Sequence, residues 1–270
     1  MSKKVKIGLA LGGGGARGLA HIGVLKALTE AGIRIDMIAG SSMGAFMGAC
    51  YSVGMSVENM ESEACSFTKR KAMKELVDVT LPKHAILKGQ KVYKYIDNLL
   101  GGADFALAKI PLRVMVTDLA NGEAVALTKG NLARAIEASI CVPGIFPAVK
   151  IDNHYFVDGG VTNPTPVDQV IKMGANIIIG VDLVYKRSVI KENLNLVSAL
   201  MQSYEIIRNK SVNLCKGNKK CKVVVVRPEI NGNGIANSFK FYNIQAFIDA
   251  GERAAKKIIP QIKREVEKFK

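Results

Sequence analysis

The chain has 270 residues, 49% of them apolar, and a formal net charge of +15. Such a length and apolar content suit one large α/β domain or two small ones, and exclude a disordered or collagen-like chain. The positive charge gathers in TKRKAMK (68–74), CKGNKKCK (215–222) and the tail from 256 to 270. These clusters read as solvated faces or as a surface for anionic membrane lipid. No aromatic interleaving or nucleic-acid motif accompanies them, which argues against a nucleic-acid partner.

Five cysteines, at 50, 65, 141, 215 and 221, form no C-x-x-C pair. Their odd number and irregular spacing suit reduced thiols in a cytoplasmic protein, and neither a disulfide framework nor a metal site. The N-terminal apolar run ends at glycines too soon for a signal peptide. Met37 to Val57 carries no charge and is long enough to span a bilayer, but its glycines and serines suit a buried strand, turn and helix better. The expected location is cytoplasmic, with peripheral contact at the inner membrane surface.

In chain order, VKIGLAL (5–11) is a buried strand ended by glycines. ARGLAHIGVLKALTEAG carries Leu19, Ile22, Leu25 and Leu28 at helical spacing and closes on Gly32. IRIDMIAG is a second strand and SMGAFMGACYSVG a second helix, so the start is a βαβ unit with parallel strands. Residues 56–101 read as a more polar, mostly helical cap. A strand ends at Thr117-Asp118, Asn121-Gly122 turns the chain, and a short strand returns. NLARAIEAS is a helix, CVPGIFPAV an irregular stretch, and IDNHYFVDGG a tight turn feeding a strand that ends at Asp158. A helix with Pro166 in its first turn, the buried strand ANIIIGVDLV, a long helix (about 192–214), the strand CKVVVVRP and a final amphipathic helix complete the chain. The expected fold is one α/β domain over residues 1–270, with a mostly parallel central sheet and helices on both faces. The motifs fall within about 6–185, and the remainder packs on the same domain.

Three glycine-marked sites follow strands. GGGGARG (12–18) presents backbone amides at a helix start, a place for a phosphate or a developing oxyanion. Gly13, Gly15 and Gly18, with Asp36 further on, also satisfy the short dinucleotide pattern. That reading leaves the other two glycine sites unexplained. GSSMG puts Ser42 between Gly40 and Gly44 at a strand-to-helix turn, as a nucleophile elbow requires, with Ser41 on the strand side. The third site is Asp158 followed by Gly159 and Gly160.

A serine nucleophile needs a base. His154 could follow Asp118 but sits in a turn, His21 reads as a packed residue beside the glycine loop, and His84 falls in the polar insertion. A carboxylate within hydrogen-bond reach serves if burial raises its proton affinity. Ser42 and Asp158, with the amides of the glycine loop, make a self-consistent set.

GGGGARGLAHIGVLKAL, GSSMGA, TDLANGE, ASICVPGIFPAV and DGGVTNPTPVD, in this order, resemble the bacterial branch of the patatin-like phospholipase family from about residue 6 to about 262. The resemblance implies an α/β acyl hydrolase acting on lipid esters without metal or organic cofactor. Ser42 matches its nucleophile and Asp158 the dyad aspartate. Gly13, Gly14 and Gly15 match the oxyanion loop, with Arg17 as its basic residue. Met43 departs from the small residue usual after the serine. A non-catalytic lipid- or partner-binding protein on the same fold is the rival reading.

Overall fold

The computed structural model describes residues 5–67, 74, 76–78, 85–183, 195–212, 214, 221–230 and 244–269. Its strands are β1 (Ile7–Leu11), β2 (Met37–Ser41), β3 (Leu112–Asp118), β4 (Ala124–Leu127), β5 (Val149–Ile151), β6 (His154–Asp158), β7 (Ile177–Val181) and β8 (Lys222–Val226). The α-helices are α1 (Ala20–Glu30), α2 (Met43–Ser52), α3 (Val57–Cys65), α4 (Gln90–Leu99), α5 (Leu132–Ser139), α6 (Val167–Lys172), α7 (Leu196–Ser211) and α8 (Ile244–Lys268). A 3₁₀ turn over Gly15–Leu19 leads into α1.

The strands form one sheet in the order β5-β6-β3-β2-β1-β7-β8, with β4 also pairing β3. The pairs β1–β2, β1–β7, β2–β3 and β7–β8 are parallel, and those involving β4, β5 and β6 are antiparallel. The mostly parallel sheet expected from the strand–helix alternation is present.

Side chains alternate across β1, and the two faces are covered differently. Leu9 and Leu11 join a large core with α1, α2 and α8, whereas Ala10 packs with Val167 and Val170 of α6 on the other side. The last helix buries Ile244, Phe247, Ile248, Ala255 and Ile262. It crosses α1 closely: a Cβ on Gly251 would stand 1.9 Å from the Ala20 carbonyl, and one on Gly23 equally close to that of Ile248.

The register of β3 positions the site. Met115 pairs with Ser41 of β2 and with Ala126 of β4, so β2 and β4 lie on opposite edges of β3. Thr117 pairs with Ala124 of β4 and with Val157 of β6, so β6 lies opposite β4, on the edge that β2 occupies lower down. Two strands of opposite direction therefore share one edge and meet end to end. Ser41 is level with Met115 and Asp158 with Val116. The residue leaving β2 is Ser42, and the residue ending β6 is Asp158.

His84, Cys215 and most of the basic clusters at 68–74 and 215–222 lie outside the described residues. Cys50, Cys141 and Cys221 are buried thiols and Cys65 is exposed. Among the described residues no helix is long and apolar enough to cross a membrane.

Candidate active site

Ser42 sits at the turn between β2 and α2 with φ 53° and ψ −126°. A non-glycine residue reaches positive φ only when its surroundings force it there. Two hydrogen bonds supply that force. The Ser42 amide donates to Ser139 Oγ at 2.8 Å, and that hydroxyl donates to the Met115 carbonyl at 2.6 Å. Close packing supplies the rest, since a Cβ on Gly44 would stand 2.2 Å from the Leu11 carbonyl and one on Gly40 2.5 Å from that of Gly44. Gly44 thus lets α2 lie against the end of β1, and Gly40 lets the start of α2 lie against β2. Ser41 is fully buried on the strand, so the two serines differ as the pattern predicts.

Ser42 Oγ donates to Asp158 Oδ2 at 2.7 Å. The other carboxylate oxygen, Oδ1, accepts from the Gly160 amide, also at 2.7 Å. Gly159 packs against β3, where a Cβ would stand 2.3 Å from the Met115 carbonyl. Asp158 has no exposed surface. Burial pushes its carboxyl up to about 6, against the pull of hydrogen bonds from Gly160, Ser42 and Tyr204 and the charge of Arg208. The carboxyl has become a better proton acceptor than an aspartate in water, and it touches the hydroxyl.

The glycine loop lies on the other side of Ser42. Gly13 is close enough that a Cβ there would stand 3.1 Å from that of Ser42. Its amide, however, donates to the Pro164 carbonyl at 2.9 Å. The expectation of three oxyanion amides is corrected at this residue, because a strand-end contact already takes that donor. Gly14 and Gly15 line the cavity beside Ser42. Arg17 is buried and turns away from solvent, its Nε donating to the Gly14 carbonyl at 3.2 Å and a terminal nitrogen to Glu205 at 2.7 Å. Gly18 makes room for Met43, whose Cγ would stand 2.2 Å from a Cβ at that position. The bulk of Met43 is thus partly taken up over the loop's last glycine.

The histidines are elsewhere. His154 binds Asp118 through Nδ1 at 2.7 Å, but it opens β6 while Asp158 closes it, four residues or roughly 13 Å away along an extended strand. His21 is fully buried, with Nε2 2.7 Å from the Gly12 carbonyl. Burial lowers its pKa to about 4 against the opposing effect of that hydrogen bond, so the ring is neutral.

Asp36 accepts from the Ile7 amide at the start of β1, at the far end of the strands from the glycine loop. The acid of the dinucleotide pattern is thus on the wrong side of the sheet. Among the described residues no group of three or more His, Cys, Asp or Glu side chains is placed to hold a metal.

A cavity of about 480 Å³ opens beside Ser42. It is almost wholly apolar, with Leu19 and Ile22 of the first helical segment, Phe46 and Met47 of α2, Met60 of α3 and Ile96 of α4 among its walls. The cap expected between residues 56 and 101 is therefore a wall of this cavity. Four side chains at the site carried no signal of their own in the sequence. Ser139 sits inside the quoted ASICVPG stretch, while Tyr204, Glu205 and Arg208 lie on a helix that no motif marked. An E-x-x-R pair on one helical face could have suggested an ion pair, but not its reach.

Residues 9–171, more than half of the chain, match the sequence profile described as patatin-like phospholipase. An uncharacterised NTE-family protein of Mycobacterium tuberculosis is 36% identical over 182 residues, which is 67% of this chain and 50% of that protein. The neuropathy target esterase sws of Drosophila melanogaster is 36% identical over 181 residues, 66% of this chain and 13% of that protein. The chain thus aligns with half of the mycobacterial relative and with a small part of the insect one. Among solved structures, VipD of Legionella pneumophila superposes with a TM-score of 0.53 at 12% identity, over 96% of this chain and 67% of that one. The type III effector ExoU gives 0.50 at 13% identity, over 96% and 53%. At such identities the two structures speak for the fold alone, while the profile match and the relatives reach further: the chain belongs to the patatin-like phospholipase family.

Proposed function

We propose that this chain is a serine acyl hydrolase that cleaves fatty-acyl esters of lipids through an acyl-enzyme on Ser42, with Asp158 as the base. The observation that carries the reading is the 2.7 Å contact to a fully buried Asp158 from the hydroxyl of Ser42, a residue that lines a mostly apolar cavity. An acyl chain in that cavity brings its ester carbonyl to Ser42. Oγ attacks the carbonyl carbon as Asp158 takes the hydroxyl proton, and the oxyanion faces the amides of Gly14 and Gly15. Asp158 returns the proton to the departing alcohol. A water then enters, gives its proton to Asp158 and attacks the acyl-enzyme, and the fatty acid leaves as Ser42 recovers its proton.

The volume and the mostly apolar walls favour a long, unbranched acyl chain over a polar acid. The formal net charge of +15 suits a substrate presented at an anionic membrane. The family, and the relatives named as esterase and as phospholipase domain-containing proteins, support the reaction class.

A fluorophosphonate probe tests the assignment. It should label the wild type at Ser42, leave Ser42→Ala unlabelled, and leave Asp158→Asn almost unlabelled. Wild-type protein that takes no label, under conditions where lipid still binds, would support the non-catalytic reading instead.

A further inference from the structure

Helix α7 lies C-terminal to the residues that match the family profile, yet three of its side chains reach the site from one helical face. The Tyr204 hydroxyl lies beside the Asp158 carboxylate and bonds it: a Cβ on Gly160 would stand 2.6 Å from the hydroxyl and 3.0 Å from Asp158 Oδ1. Arg208 donates to the Gly13 carbonyl at 2.6 Å and to Glu205 at 2.8 Å. Glu205 also accepts from Arg17, which itself holds the Gly14 carbonyl. All of this is enclosed: Arg17 and Arg208 each expose 2% and Glu205 8%. Burial alone would raise the Glu205 carboxyl, but the guanidiniums of Arg208 and Arg17 outweigh it and hold the group ionised.

The geometry bears on two backbone amides. In a trans peptide the carbonyl of one residue and the amide of the next point in opposite directions, and no peptide of the described chain is cis. Fixing the Gly13 carbonyl therefore fixes the Gly14 amide, and fixing the Gly14 carbonyl fixes the Gly15 amide. His21 does the same one step earlier, holding the Gly12 carbonyl while the Gly13 amide goes to Pro164. Side-chain donors thus grip three successive carbonyls of the loop from behind. Each grip also polarises the peptide so that its amide is a stronger donor.

We infer that α7 is a positioning helix: Glu205 and Arg208 set the Gly14 and Gly15 amides for the oxyanion, and Tyr204 holds the Asp158 carboxylate in place. This rests on the proposed roles of Ser42 and Asp158. None of the three α7 residues exchanges a proton with the substrate. They act on groups that do.

The test uses the full chain with p-nitrophenyl butyrate as substrate. Arg208→Lys keeps a positive charge but not a planar fork able to hold a carbonyl and a carboxylate together. It should lower kcat by about 10- to 100-fold with KM within twofold, the pattern of an interaction made only in the transition state. Glu205→Gln should do the same. Tyr204→Phe, the mildest change, removes one donor from the Asp158 carboxylate. It should move the acid limb of the kcat/KM profile up by roughly half to one pH unit, with the high-pH plateau little changed. A lower melting temperature alone, with limb and kcat as in the wild type, would overturn the inference. So would Arg208→Lys or Glu205→Gln variants with wild-type kcat. Failure of the underlying reading looks different: Ser42→Ala would keep wild-type turnover.

Discussion

Two aspartates stand near one end of the sheet, Asp118 closing β3 and Asp158 closing β6, and each binds one side chain at 2.7 Å. Asp118 pairs with His154, whose side chain is 60% exposed, and the Ala120 amide and then the histidine hold its carboxyl below the usual range. Asp158 pairs with Ser42 under α7, and burial drives its carboxyl up to about 6. Residue type and bond length are the same, and the proton affinities move in opposite directions. Both carboxylates are shielded from solvent, Asp118 with 2% of its surface exposed, so hydrogen bonds decide the proton affinity at Asp118 and desolvation decides it at Asp158. The Asp–His pair offers the commoner type of base, but its histidine points largely into solvent and lies at the opposite end of β6 from Asp158.

The sharpest way to break this contrast is Asp158→Asn, which should lower kcat by on the order of 10³-fold or more if the carboxylate is the base. A rate within tenfold of the wild type in steady-state ester hydrolysis would end the contrast. The same substitution should stabilise the fold at neutral pH. A carboxyl raised from 3.8 to about 6 in the folded state favours folding fully below pH 3.8, and that contribution is lost as the pH rises through 6. The loss is on the order of 3 kcal/mol, so Asp158→Asn should melt higher than the wild type at pH 8, and the gap should shrink toward pH 4. Thermal denaturation across that range checks the sign.

Wild-type kcat/KM should fall below about pH 6 as Asp158 takes up its proton. An acid limb that follows Asp118 instead would lie below the usual carboxylate range. A smaller effect probes the covered side of the contrast. Ala64 lines the cavity, and Ala64→Trp should exclude about two methylenes of a long chain, at roughly 0.8 kcal/mol each. The ratio of palmitate to butyrate ester hydrolysis should then fall about tenfold. The smallest effect belongs to the exposed histidine: His154→Ala should leave kcat/KM within twofold in the same assay.

Much of this site is legible in the sequence because its parts are local. GSSMG encodes a strand, an elbow and a helix start in five residues, and its glycines are fixed by close contacts, Gly44 with the end of β1 and Gly40 with the start of α2. Asp158 is legible as a residue at a strand end before two glycines, but its pairing with Ser42 rests on β3 giving one edge to two strands. That arrangement is non-local and leaves no periodic trace. The engaged Gly13 amide is hidden for the same reason, since its acceptor Pro164 lies far along the chain. The contribution of α7 is the least legible. No motif marks its polar residues, and only the structure places Arg208 among the buried side chains.

The end-to-end meeting of β2 and β6 on one edge of β3 also has a consequence for assembly. Ser42 and Asp158 are 116 positions apart, and nothing local holds them together. A chain that has formed only its early βαβ unit has neither a held elbow nor the Ser42–Asp158 pair, because Met115, Ser139 and the strand that ends at Asp158 must still dock. Such long-range pairings are the slow steps of folding. On the proposed roles of Ser42 and Asp158, recovery of ester hydrolysis after refolding should therefore report the closing of the sheet and lag behind the return of helical signal.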